Sequence, residues 1–117
     1  MKIDKVDEMR GEEFEEWIAA HFKRRGYKVT MTAKSHDYGA DLLLYKRGHL
    51  TVVQAKRYDG NVGVAAVQQA CASMRYYEAD DCMVVTNSYF TEPAIDLANK
   101  NEVELWDRDD LVEQFLS

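Results

Sequence analysis

Apolar positions recur every three or four residues between about residues 8 and 25. Phe14, Trp17, Ile18, His21 and Phe22 fall on one side of a helix turning about 100° per residue. Asp7 stands where an N-cap belongs and Gly26 where the helix must stop. Alternating or continuous apolar runs follow, and they predict strands: "YKVTMT" (27–32), "ADLLLYK" (40–46) and "LTVVQAK" (50–56). Arg47-Gly48 supplies a tight turn between the last two. A second helix covers about 63–79, and "CMVVTN" (82–87) reads as a short buried strand. Thr91 caps a third helix reaching about residue 100, with Pro93 in its first turn. "VELW" (103–106) is a last strand, and Asp107 caps a short final helix. The order α-β-β-β-α-β-α-β-α predicts an α/β fold. Its mixed five-stranded sheet carries helices on both faces, with the second strand antiparallel to its neighbours. No linker, repeat or low-complexity segment divides the chain, so residues 1–117 read as one domain.

A two-residue turn at Arg47-Gly48 fixes the pairing of strands two and three. Lys46 then lies opposite His49, Tyr45 opposite Leu50, Leu43 opposite Val52 and Asp41 opposite Gln54. Asp41, Gln54 and Lys56 share the polar end of one face, while Leu42, Leu44, Thr51, Val53 and Ala55 face the other way. A carboxylate, an amide oxygen and the backbone carbonyl of Ala55 are hard oxygen donors suited to Mg²⁺ or Mn²⁺. A lysine beside them can orient or deprotonate water and stabilise charge on a phosphoryl group. On the first helix Glu15 lies just off the apolar arc and is the acid placed to reach inward. Glu12, Glu13 and Glu16 lie on the solvated side. The simpler alternative is an Asp41–Lys56 salt bridge at a sheet end.

Charge sharpens this picture. The net charge is −6, but residues 23–58 hold nine Lys/Arg against two Asp/Glu, a net +7. Residues 1–22 carry net −4 and residues 59–117 net −9. The basic third suggests a surface facing a polyanion, whereas the overall acidity opposes tight nonspecific binding of nucleic acid. No apolar run approaches a membrane span and the charged N-terminus lacks a signal core, which points to a cytoplasmic protein. Cys71 and Cys82 fit no metal or redox spacing.

The segments "GEEFEEW", "DYGADLLL", "VVQAKRY", "VGVAAVQQ", "VVTNSYFTEPAIDLA" and "VELWDRDDL" occur in order from about residue 9 to 112. Together they resemble the Mrr-like restriction endonuclease family of the PD-(D/E)xK nuclease superfamily. The resemblance implies a three-layer α/β/α restriction-endonuclease-like fold and Mg²⁺- or Mn²⁺-dependent cleavage of DNA phosphodiesters, often in modified DNA. It implies Asp41 and Gln54 as metal-site residues, Lys56 as the catalytic lysine and Glu15 as the helix acid. The wider superfamily usually has Asp or Glu where Gln54 stands. Mrr-like members commonly carry Gln, a neutral ligand that implies weak metal affinity. Family members often join this domain to a DNA-binding or membrane segment. The chain then reads as an isolated domain or as a minimal nuclease served by a separate DNA-recognition domain or protein.

Arg57, Lys34, His36 and Tyr38 flank the same sheet end and are candidates to contact DNA, as are Gln69 and Asn87. Solvated-loop and helix-surface roles are the alternatives for these residues. Cutting both strands of a duplex calls for two sites, so a homodimer fits the reading, with Tyr76 and Tyr77 on a helix suited to a seam. Two other functions stay open: a structure-selective nuclease such as a Holliday-junction resolvase, and a catalytically silent DNA- or partner-binding module.

Overall fold

The computed structural model describes residues 1–32 and 40–117. Five strands, β1 (Lys28–Met31), β2 (Leu42–Lys46), β3 (His49–Lys56), β4 (Asp81–Thr86) and β5 (Glu104–Trp106), lie side by side in chain order. β1, β2 and β3 pair antiparallel, and β4 and β5 run parallel to β3. This is the mixed five-stranded sheet expected from the order of elements. The β2–β3 register is also as derived, with Lys46 opposite His49 and Leu43 opposite Val52. Positive φ at both Arg47 (53°) and Gly48 (79°) makes the connection a type I′ turn, whose twist matches that of the strands it joins.

Helices cover both faces. α1 (Ile3–Asp7) and α2 (Gly11–Arg24) lie on one side. There Phe14, Ile18 and Phe22 bury themselves against Leu42, Leu44, Val53 and Ala55. α5 (Arg108–Leu111) runs into a π-helical turn, Val112–Leu116, whose Phe115 joins the same cluster. α3 (Val64–Tyr76) and α4 (Glu92–Lys100) cover the other side, packing Val67, Ala70, Ala94 and Ala98 on Val52, Cys82 and Val84. No helix among the described residues is long and apolar enough to cross a membrane.

Thr91 and Asp107 cap their helices as expected, accepting from the backbone N–H groups of Ala94 (3.2 Å) and Asp110 (3.1 Å). The first helix corrects the reading. It is two helices, and Asp7 closes the first instead of capping the second. Arg10 precedes α2, and Glu13 Oε1 accepts from its backbone N–H at 3.2 Å. The Asp7 carboxylate turns to the far end of the chain. Arg108 grips it with both guanidinium nitrogens, at 2.8 and 3.0 Å, and Asn87 Nδ2 donates to it at 2.9 Å. The Arg108 hydrogen bonds hold the Asp7 carboxyl below the usual carboxylate range, against the opposing pull of partial burial.

This pair ties α1 to α5. Both side chains are about a third exposed, so solvent screening limits its worth. Arg108→Ala is expected to lower unfolding free energy by about 1 kcal/mol at neutral pH. Because the folded-state carboxyl is depressed, the stabilisation is present above the unfolded value near pH 4 and fades as pH falls through and below it. Urea unfolding of both proteins at pH 7 and pH 3 checks this, with the gap expected to narrow at the lower pH.

Candidate active site

β2 and β3 part company one residue before β2 begins. The Asp41 N–H donates to the Val53 carbonyl at 2.7 Å instead of pairing with Gln54. This local offset turns the Asp41 side chain across the end of the ladder, where Oδ2 accepts from the Ala55 N–H at 2.7 Å. A carboxylate thereby completes a hydrogen bond that a longer β2 would have made. The N–H and C=O of one strand residue leave the same edge, so the Ala55 carbonyl faces the Asp41 side of β3.

Gln54 (6% exposed) and Asp41 (8%) are among the polar side chains buried around this strand end, and Glu15 (7%) is buried on α2. Gln54 points to the α3 layer, where its Nε2 donates to Gln69 Oε1 at 3.1 Å. Its Oε1 is buried and accepts nothing, the one such side-chain atom among the described residues. A buried carbonyl oxygen without a donor costs about 1–3 kcal/mol. Glu15 comes from the opposite layer. The buried side of α2 runs from Phe14 through Ile18, Phe22 and Glu15 to Ala19. Glu15 therefore sits within that arc rather than at its rim, while Glu12, Glu13 and Glu16 are exposed.

Lys56 ends β3. Its carbonyl accepts from Thr86 Oγ1 at 2.6 Å, and its partly exposed side chain reaches an open cleft shared with Gln69 and Tyr58. Arg57 turns away, bonding Asp59 at 2.7 Å and the Asp7 carbonyl at 3.3 Å. Asn87 was expected to meet DNA. It is 2% exposed and engaged at both ends of its amide, accepting from the Tyr58 N–H at 2.7 Å and donating to Asp7. Its place is a brace beneath the loop after β3. Lys34, His36 and Tyr38 lie outside the described residues.

The basic third of the sequence does not gather at this site. Lys23, Arg24, Arg25, Lys28, Lys46 and Arg47 cluster where α2 ends and the β2–β3 turn begins, with Lys46 Nζ donating to the Arg25 carbonyl at 2.8 Å. That is the opposite end of β3 from Lys56, about 25 Å away at strand rise. The Asp7–Asn87–Arg108 brace was missed because its members lie 80 and 101 residues apart, with no local pattern linking them.

The donor set of the strand end, a carboxylate, an orphaned amide oxygen and a backbone carbonyl, fits a hard divalent cation. No cluster of three His, Cys, Asp or Glu ligands forms among the described residues, so such an ion would depend on neutral oxygen donors and water to complete its shell.

A mixed sheet in this order, sandwiched by helices, is the restriction-endonuclease-like fold. The family model for restriction endonucleases of the Mrr_cat type matches residues 6–115, and the chain belongs to that family. The resemblance carried by the sequence motifs is thereby upheld. Among solved structures the fold is similar to the DNA modification-dependent restriction endonuclease AspBHI, with TM-score 0.71 and 19% identity over 94% of this chain and 33% of that one. It is also similar to AF1548, described as a protein of unknown function, with TM-score 0.68 and 14% identity over 85% of this chain and 63% of that one. The chain thus spans less than two thirds of either protein. No curated protein matches it.

Proposed function

We propose that the chain is the cutting domain of a divalent-metal-dependent DNA endonuclease. Asp41, Gln54, the Ala55 carbonyl and Glu15 would hold Mg²⁺ or Mn²⁺. The observation that carries this reading is the buried, donorless Gln54 Oε1, one residue from the amide that Asp41 holds. When bound, the ion supplies Lewis-acid polarisation of a phosphoryl oxygen and a water of lowered pKa.

The chain's own groups do the rest. Asp41 Oδ2 accepts from the Ala55 N–H, so the carboxylate is oriented before an ion arrives. Lys56, on the ordered end of β3, donates hydrogen bonds to the phosphate and offsets the charge that builds up on it during in-line attack by water. Gln69 holds the Gln54 amide by its nitrogen, which orients Oε1.

Choice of target, including any preference for modified bases, belongs to a separate recognition domain or protein. In support, AspBHI is a modification-dependent enzyme of which this fold accounts for 33%. The six cations far from Lys56 likewise argue against strong DNA capture at the cutting end.

Nicking of plain and methylated supercoiled plasmid by the purified chain, in Mg²⁺, Mn²⁺ or EDTA, tests the proposal. Metal-dependent conversion to open circles is expected, and its absence on both plasmids with both metals would overturn the reading. A further expectation concerns the neutral ligand. Gln54→Glu places a full charge at the donor position and should lower the half-saturating Mg²⁺ concentration by about tenfold. Calorimetric titration of both proteins checks this.

A further inference from the structure

On the α3 side of Lys56 lies a cleft of about 230 Å³ whose walls are Tyr58, Asn61, Val62, Gly63, Ala65 and Gln69. It is smaller than the roughly 300–1,000 Å³ of sites that enclose drug-sized ligands, and it suits one planar ring. Lys56 is the one charged side chain on its described walls, so neither a cation nor a multiply charged anion is matched. Its surface is mainly apolar with two amides at the margin. Gln69 accepts from Gln54 through Oε1, which leaves its Nε2 hydrogens to donate. Asn61 is exposed with a whole amide to offer.

The backbone of the aromatic wall is anchored. Tyr58 is 52% exposed, yet its backbone N–H is held by the buried Asn87 at 2.7 Å. Its ring lies over the loop at Gly60, where an added β-carbon would sit 3.4 Å from Tyr58 Cε2, in ordinary van der Waals contact. The floor is equally firm. Val62 accepts from the Thr91 N–H at 3.0 Å and donates to the Tyr89 carbonyl at 2.8 Å, pinning the loop to the chain after β4. An exposed aromatic side chain on a backbone-anchored loop, with amides on the walls of the same cleft, is how proteins hold unstacked bases.

We propose that this cleft takes one unpaired nucleobase of the strand being cut, stacked on Tyr58, with its edge met by Gln69 and Asn61. The inference rests on the nuclease reading of Lys56, which would hold the phosphate next to that base. A base inside an intact duplex is stacked and paired, and withdrawing it costs a few kcal/mol. The cleft therefore favours strands that are single, mismatched or already opened at the cut.

Binding without hydrolysis separates this inference from the nuclease reading. Labelled octathymidylate and an octamer of abasic tetrahydrofuran phosphates carry the same phosphates and differ in their bases. Their affinities are measured by fluorescence anisotropy in EDTA, where cutting is not required. The wild type is expected to bind the thymidylate about tenfold more tightly, the scale of one base stacked on an aromatic ring. Tyr58→Ala should bring that ratio close to one while leaving the abasic affinity unchanged. Ala65→Phe, which fills the cleft with the tyrosine still present, should do the same. Circular dichroism shows that both variants are folded. A wild-type ratio near one, a ratio that survives both variants, or failure to bind either strand would overturn the inference. Plasmid nicking with a ratio of one would leave the nuclease reading standing alone, and a Tyr58-dependent ratio without nicking would leave a base-binding module.

Discussion

Lys56→Ala is expected to slow plasmid nicking by about 10²- to 10³-fold, the usual loss when one preorganised donor to a developing negative charge is removed. Stability should hardly change. The contribution of residue 56 to the fold comes from its backbone, whose carbonyl accepts from Thr86 Oγ1 and whose pairing with β4 does not involve the side chain. Its side chain is partly exposed, so truncation opens no cavity. Lys56→Arg should not restore the rate, because a planar fork presents its donors differently from a compact ammonium. Initial rates in saturating Mg²⁺, alongside urea unfolding, check both halves. Nicking that survives Lys56→Ala would place the chemistry elsewhere.

Asp41 should separate chemistry from folding. Asp41→Asn keeps an oxygen that can accept from the Ala55 N–H, so the protein should remain close to wild-type stability while losing cleavage by about 10²-fold or more. Asp41→Ala removes both. It leaves the Ala55 N–H without its acceptor at a buried position, and about 1–3 kcal/mol of stability should go with the activity. Comparing unfolding midpoints of the two variants with their nicking rates is the test. Equal stabilities would mean that water replaces the carboxylate at Ala55. Activity in Asp41→Asn would remove Asp41 from the metal site.

The hairpin register was legible because a two-residue turn leaves no freedom. Once Arg47 and Gly48 are the turn, every partner from Lys46 to Leu42 follows. The burial of Glu15 was legible from helical period, although its position inside the arc needed Ala19 to be packed too. The break between α1 and α2 was not legible, since "DEMRG" carries no proline and its glycine comes after the break. Nor was the fate of Asn87. A polar residue at a strand end reads as a site residue, and only the docking of α1 and α5 makes it a buried brace. Charge misled for a similar reason. Residues 23–58 are consecutive in sequence, but β2 and β3 double back, so most of their cations end at the turn while Lys56 ends at the site. Gln54 was read onto the polar end of one sheet face and Glu15 as the helix acid reaching inward, yet they belong to opposite layers, a relation that depends on which helix covers which face.

The offset at Asp41 has a bearing on how the site can be observed. Most amide hydrogens of a central strand are shielded by the neighbouring backbone, and they exchange with solvent only when the sheet opens. The Ala55 amide is shielded by a side chain instead. Movement of the Asp41 carboxylate therefore opens a route to exchange even while the sheet around it stays closed. A single backbone hydrogen thus reports whether the Asp41 end of β3 is assembled, in a protein that has been given neither metal nor DNA.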